Sequence, residues 1–433
     1  VVRWFKWRFG ATWILHWRLV RGSADSTAIV TGRPLPPPDV PEISRASLMN
    51  AVQRVVVRVD AFTEMGMGHL MRCLSLARAL ADDGANVFFL LRSHAAGLTR
   101  LIEGEEHSVR LLPDPEGRPD ALAADGTAHA RWLPTSWQKD AEQTLEAIDR
   151  IGPVDWLIVD HYALDARWER MQRKRVPRIL AIDDLADRDH DCDILLDQNL
   201  VLNMEHRYRG RLPPICQALL GPAYALLRPE FAGQRESLVG RSGKVSRILV
   251  CYGGSDPGNE TAKALSVIKS LSLPWLAVDV AIGLSNPHAD SISGLCREMP
   301  LAELHRGADN MAELMMRADL AIGAGGVMSW ERCCLALPTI AVHIADNQTG
   351  ALTALASCGA VAYLGSAPSV TVDQIAGTLR SMLDDPARTR AMGEAAAALV
   401  DGLGTSRVRE AMKSLDGVEP TGSRRLADEG NAA

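Results

Sequence analysis

The chain has 433 residues and a formal net charge of -6, with 47% hydrophobic and 23% charged residues. That is ordinary globular composition for two or three domains, without the basic surplus of a protein whose main partner is nucleic acid. No apolar run approaches the ~20 residues of a spanning helix, so no integral membrane segment is expected. The eight cysteines (73, 192, 216, 251, 296, 333, 334 and 358) show neither CxxC nor metal-finger spacing. They read as reduced core thiols of a cytoplasmic protein.

Residues 1–21 carry five Lys or Arg, no acid and four of the ten tryptophans. Such a segment suits a membrane surface or a targeting signal. It equally suits an over-extended reading frame with the native start at Met49. Gly10 and His16 interrupt its apolar centre, and a Pro-rich stretch follows over 32–38. Residues 1–50 are expected to be a disordered or non-native extension.

From Arg54 onward, short apolar runs alternate with polar turns and helical stretches. Val55-Val56-Val57 leads into a helix over 69–81, with apolar residues at 70, 73, 74, 77 and 80. A strand over 87–91, a loop-rich stretch over 111–136, a helix over 138–150 and strands over 156–159 and 179–182 follow. Residues 236–246 are polar and aperiodic, which marks a domain boundary. The pattern then restarts, with strands over 248–252, 277–282, 320–322 and 339–342. Helices fit 259–270, 311–317, 329–336, 348–357, 372–384 and 387–400. Continuous apolar runs suit parallel sheets covered by helices on both faces. The fold class is α/β: two Rossmann-like doubly wound domains, 51–237 and 246–415, face each other across a cleft. A disordered tail is expected over 416–433.

The strand ends carry the polar and glycine residues: Asp60, Asp160-His161-Tyr162, Asp183-Asp184, Gly253-Gly254-Ser255-Asp256, Gly323-Ala324-Gly325-Gly326 and Asp346-Asn347-Gln348. Open parallel sheets bind ligands just outside those ends, and domain interfaces are favoured sites. In Gly66-Met67-Gly68-His69 the glycines allow close backbone approach, and His69 at a helix N-terminus suits a base near neutral pH. The plainer alternative is a tight turn with a capping histidine. Arg72, one helical turn on, could hold a carboxylate, orient the turn or reach a phosphate. Asp160, His161 and Tyr162 could bind sugar hydroxyls or orient a water; otherwise Asp160 caps a turn and the aromatics pack.

The loop Gly323-Ala324-Gly325-Gly326 opens a helix that carries Ser329 and Glu331. Its amides can cradle a diphosphate, and Glu331 could accept hydrogen bonds from ribose hydroxyls. Alternatively, Glu331 is a first-turn glutamate favoured by the helix dipole. No Lys-Ser/Thr pair follows the glycines, so this is no Walker loop. Gly253, Gly254 and Ser255 form a turn suited to a sugar or phosphate, or simply one needing positive φ. Asn347 and Gln348 are cleft polar groups or part of an N-cap. No metal-ligand spacing and no GxSxG stand out.

As a set, these motifs resemble the UDP-sugar hydrolases of pseudaminic acid biosynthesis, which are related to two-domain GT-B glycosyltransferases of the MurG type. The matching stretches include Gly66-Met67-Gly68-His69-Leu70-Met71-Arg72-Cys73, Asp160-His161-Tyr162, Ile182-Asp183-Asp184, Gly253-Gly254-Ser255-Asp256-Pro257, Ser329-Trp330-Glu331-Arg332-Cys333 and Asp346-Asn347-Gln348. They lie within residues 54–365. The resemblance implies UDP held mainly by the second domain. It implies His69 as the base that activates water against the anomeric carbon of a UDP-linked 2,4-diacetamido-2,4,6-trideoxyhexose, with Tyr162 and Asn347 in support. It also implies no cofactor and no metal; a monomer is expected. The chain departs from the family at Val59 and Phe62 (usually Ala and Ser) and at Val327 and Met328 (usually Ser or Thr). A MurG-like transferase, with an acceptor hydroxyl in place of water, is the alternative reading.

Overall fold

The computed structural model describes residues 5–9, 12–16, 52–61, 67–92, 98–113 and 129–416. Residues 1–51 form a unit of their own, in which β1 (Phe5–Phe9) and β2 (Thr12–His16) pair antiparallel. The rest of the expected extension, and the expected tail beyond Asp416, lie outside the described residues.

The second unit, 52–433, contains two parallel sheets. The first has seven strands: β3 (Arg54–Val59), β4 (Asn86–Arg92), β5 (Ser108–Leu112), β6 (Trp156–Asp160), β7 (Arg178–Ile182), β8 (Ile194–Asp197) and β9 (Gln217–Leu220). Their spatial order is β5-β4-β3-β6-β7-β8-β9. Helices α1 (Gly68–Asp82), α2 (Thr99–Gly104), α3 (Trp137–Ile151) and α4 (Ala166–Gln172) connect them. Side chains alternate across a strand, so the unbroken apolar run of β3 feeds two cores. Val55, Val57 and Val59 pack with Leu70, Cys73, Leu74, Ala77 and Leu80 of α1. Val56 joins Leu157, Val159 and the α3 residues Ala141, Ala147 and Ile148 on the other face.

The second sheet follows α5 (Pro229–Glu236) and has six strands: β10 (Arg247–Cys251), β11 (Ala277–Ile282), β12 (Ala302–Arg306), β13 (Leu320–Ala324), β14 (Thr339–His343) and β15 (Ala362–Ser366). Their order is β12-β11-β10-β13-β14-β15. The flanking helices are α6 (Glu260–Ser270), α7 (Ala289–Arg297), α8 (Met311–Arg317), α9 (Val327–Cys334), α10 (Thr349–Ser357), α11 (Val372–Asp384) and α12 (Pro386–Ala397). Both sheets reverse strand order once, between β3 and β6 and between β10 and β13. Those reversals leave crevices at the strand ends where α/β folds take ligands.

The chain passes from the first half to the second earlier than the polar stretch 236–246 suggests. Leu226 packs in the first core, whereas Ala225, Leu227 and Phe231 pack in the second. The closing helix, α13 (Gly404–Asp416), follows the second half in sequence but docks on the first: Val408, Ala411 and Met412 lie in the core with Leu70 and Trp156. Asp416 accepts hydrogen bonds from Trp156 Nε1 (2.8 Å) and Gln53 Nε2 (3.1 Å). The two passages touch. A Cβ on Gly404 would stand 2.3 Å from the Ala225 carbonyl oxygen, and Thr405 Oγ1 donates to the Leu227 carbonyl at 3.0 Å.

Candidate active site

The first crevice is built by the residues that follow β3 and end β6. Helix α1 begins at Gly68 and places His69 in its first turn, while Asp160 is the fully buried last residue of β6. His69 Nδ1 lies 2.6 Å from Asp160 Oδ1. Arg72 donates to the same carboxylate twice, through Nε to Oδ2 at 2.6 Å and Nη2 to Oδ1 at 2.7 Å. Burial works to raise the Asp160 carboxyl, but the Arg72 guanidinium and the His69 ring hold it well below the usual carboxylate range. An anionic Asp160 accepts a proton-bearing Nδ1, which assigns the free lone pair of the neutral ring to Nε2. Among the described residues Nε2 has no hydrogen-bond partner. The arrangement is an Asp–His pair with its basic nitrogen unspent.

Arg72 also donates through Nη1 to Asp184 Oδ2 at 2.9 Å. The other Asp184 oxygen accepts the Tyr162 hydroxyl. Asn347 Nδ2, from the second half, donates to that same hydroxyl at 3.3 Å. Tyr162 meets the His69 ring edge-on at 4.6 Å between centroids, and Trp132 stacks on it at 5.4 Å with His129 at 5.3 Å. Burial and then Asp184 push the Tyr162 phenol far above its ordinary value, so it stays neutral. The three sequence candidates His69, Tyr162 and Asn347 therefore converge, and Asp160 and Arg72 join them as partners of His69.

His161 does not join them. It is 1% exposed and points into the domain, with Nε2 3.4 Å from Asp60 Oδ2 and Nδ1 accepting from the Ala163 amide at 3.1 Å. Along a strand end, residues 160 and 162 share one side and 161 takes the other. Val59 is likewise a core residue under α1. Gly66 and Phe62 lie outside the described residues.

The second crevice carries the glycines. Gly253 takes φ +94° after β10, Gly254 is exposed and Ser255 half-buried, and Asp256 caps α6 by accepting the amides of Glu260 and Thr261, each at 2.9 Å. Gly325 and Gly326 lead into α9 and lie against Gln348, whose Oε1 accepts the Ile344 amide at 3.0 Å. Ser329 is turned inward and accepts from Arg332 Nη2 at 3.2 Å. Glu331 is 8% exposed, with Arg228 Nη2 3.5 Å away. Its burial outweighs Arg228 and raises its carboxyl. The two crevices meet where a Cβ on Gly68 would stand 3.1 Å from Val327 Cγ2. Val327 thus packs on the turn that carries His69. Met328 accepts from the Cys251 thiol at 3.6 Å.

Sequence reasoning missed three things here. Asp184 followed β7 as one of two adjacent acids, and nothing local said which would face Arg72. His129 and Trp132 sit in a loop-rich stretch without periodicity. Asp160 looked like a sugar ligand because its pairing with a residue ninety-one positions away is a product of the β3–β6 adjacency. A separate group, Asp279, Glu303 and His305, comes together on β11 and β12. Arg247 and Arg317 already ion-pair with Asp279 there.

No family model matches the chain. It is 25% identical over 309 residues to the UDP-2,4-diacetamido-2,4,6-trideoxy-beta-L-altropyranose hydrolase of Campylobacter jejuni, covering 71% of this chain and 97% of that one. It is 27% identical over 201 residues to the spore coat polysaccharide biosynthesis protein SpsG of Bacillus subtilis (45% and 58% covered). An uncharacterised protein of Methanocaldococcus jannaschii is 24% identical over 299 residues (67% and 55% covered). The chain thus spans little more than half the length of these last two relatives. Among solved structures, Acinetobacter baumannii MurG superposes with a TM-score of 0.57 at 15% identity, covering 84% of this chain and 99% of that one. The calicheamicin glycosyltransferase CalG4 gives 0.52 at 14% identity over 84% and 99%. The fold is GT-B: two doubly wound domains of the glycosyltransferase type. Among the described residues no helix is long and apolar enough to cross a membrane.

Proposed function

We propose that this chain is an enzyme acting on a UDP-sugar, and that it hydrolyses the bond between the anomeric carbon and the diphosphate. The observation that carries the reading is the Asp160–His69 pair, with Nε2 unspent, set beside the glycine-opened N-terminus of α9. His69 Nε2 takes a proton from water as the water oxygen bonds to the anomeric carbon. The bond from that carbon to the diphosphate oxygen breaks, and UDP departs with the electron pair. Charge growing on the leaving oxygens is met by the α9 amides and helix dipole. Asp160 orients the ring and stabilises the imidazolium that forms. Tyr162 and Asn347, joined across the cleft, hold its two walls in register.

The Campylobacter relative's name and the glycosyltransferase folds support the nucleotide-sugar class. That relative's diacetamido-trideoxyhexose is the substrate we would test first. The same base would serve an acceptor hydroxyl, and the glycosyltransferase neighbours favour that second reading. One experiment separates them: incubate the purified chain with UDP-sugars and no acceptor, and follow free UDP and sugar by NMR. Steady release of both is expected; no release without an added acceptor would move the assignment to transfer. His69→Ala should cut turnover by ~10²-fold or more while still binding UDP. Near-normal release from that variant would remove His69 from the mechanism.

A further inference from the structure

Six arginines are buried among the described residues: Arg58, Arg72, Arg92, Arg178, Arg188 and Arg332. Five have a carboxylate in contact. Arg58 has Asp60 and Asp140, Arg72 has Asp160 and Asp184, Arg92 has Asp140, Arg178 has Asp193, and Arg188 has Asp183 and Asp187. Arg332 is the exception. It is 3% exposed, and among the described residues no carboxylate oxygen reaches ion-pair distance of it. Its Nη2 donates to the Ala324 carbonyl at 2.6 Å and to Ser329 Oγ at 3.2 Å, and its buried Nε has no hydrogen-bond partner among the described residues.

Its place in the fold is specific. Arg332 Nη1 stands 3.0 Å from the point where a Cβ on Gly323 would be. The guanidinium is thus tucked under the loop that runs from β13 into α9. The Ala324 carbonyl turns inward to the guanidinium, while the first amides of α9, at Val327 and Met328, have no intrahelical acceptor by position. Gly325 and Gly326 put no side chains over that face. A guanidinium stays protonated even when burial disfavours its charge, and burial does pull Arg332 below the usual guanidinium range. A buried charge with no carboxylate in contact is disfavoured, and the neighbouring Glu331, which acts on Arg332 from farther off, is itself in contact with Arg228. Among the described residues the loop therefore holds a positive charge with no carboxylate at ion-pair distance.

We propose that Arg332 is the fixed cation of an anion site at the N-terminus of α9, acting through the loop backbone on a ligand that carries two linked phosphate groups. The proposal rests on the UDP-sugar reading above and deepens it by naming the residue that sets the site's charge. Arg332 does not touch the ligand; it is a positioning residue whose field the ligand completes. Neutral nucleosides gain nothing from it, monophosphates gain part, and diphosphates gain most.

The test is calorimetric titration of uridine, UDP and inorganic pyrophosphate into the wild-type chain, Arg332→Met and Arg332→Lys, at low and high salt. Arg332→Met is expected to bind UDP and pyrophosphate at least 10-fold more weakly, with a flatter salt dependence and uridine unchanged. Arg332→Lys should recover most of the loss. Equal UDP affinity in Arg332→Met overturns the proposal, as does an equal loss for uridine and UDP, which would mark a packing role. Should Arg332→Met not fold, the wild-type chain decides alone. Pyrophosphate must raise its Tm more than uridine does at equal concentration, and a rise no greater than uridine's overturns the proposal. A wild-type chain that binds neither UDP nor pyrophosphate would sink the UDP-sugar reading itself; one that binds both, with Arg332→Met indistinguishable from it, sinks only the role of Arg332.

Discussion

In the proposed reaction His69 acts through the nitrogen that Asp160 leaves free, so Asp160 is the residue whose chemistry can be changed at constant shape. Asp160→Asn keeps the size of the side chain but removes the charge that both Arg72 and Nδ1–H require. Turnover is expected to fall ~10²-fold or more, and the double variant with His69→Ala should lose little further, because the two residues act as one unit. Additive losses would show that Asp160 serves only the fold. A second residue-scale expectation concerns stability. His190 is buried with Nδ1 2.7 Å from Glu169 and Nε2 3.5 Å from Asp183. Burial opposes its charge, but Glu169 and Asp183 prevail and raise it from 6.5 to about 9. A raised histidine contributes its full stability below its unfolded value and loses it as pH climbs through the folded one. On the order of 3 kcal/mol should therefore drain away between pH 6.5 and 9. The Tm of wild type minus that of His190→Gln, followed across that window, measures it; a constant difference would refute the pairing. The placement of His69 at the head of α1 was legible in the sequence because a histidine after two glycines at a strand-to-helix turn is a local signal. The identity of its partner was not, since it depends on which strand lies beside β3.

The two glycine loops look alike in sequence, yet they differ as elements. At Gly323 a Cβ would stand 2.0 Å from the Cys251 carbonyl of the neighbouring strand and 3.0 Å from Arg332. At Gly254 it would meet nothing within 4 Å. Gly323→Ala should therefore cost ~2–3 kcal/mol by forcing β10 and β13 apart, and weaken UDP binding with it. Gly254→Ala should leave the urea midpoint unchanged. Equal midpoints for the two variants would contradict the close approach of β13 to β10. The strands that sequence periodicity marked, such as β3, β6 and β13, are those buried on both faces, where an apolar run cannot be mistaken. Those it passed over include the edge strands β5, β9, β12 and β15, whose partial exposure leaves a mixed pattern. Strand β8 is buried throughout but only four residues long, too short to show a period.

At the scale of the whole molecule, two parallel doubly wound sheets were legible in the repeated run–turn–helix pattern, but membership at the seams was not. Residues 236–246 signal exposure by their polarity, and exposure marks a surface loop as readily as a boundary. Nothing local in α13 says which core it will close. That choice depends on the apolar face that α1 leaves uncovered, which Val408, Ala411 and Met412 fill. A chain ending at Gly402 should consequently be less stable. Full burial of Val408 and Met412 contributes about 1.5–3 kcal/mol each, and the truncated chain should bind a hydrophobic dye that the full chain does not. An unaltered Tm would show the helix to be dispensable. The same docking has a consequence for synthesis. Domains usually complete themselves in the order in which they leave the ribosome. Here the later half has its core in hand by Val400, while the earlier half waits with a bare stripe on α1 for residues translated more than three hundred positions afterwards. The domain begun first is the last to be finished, and the stripe is what a chaperone would have to cover in the interval.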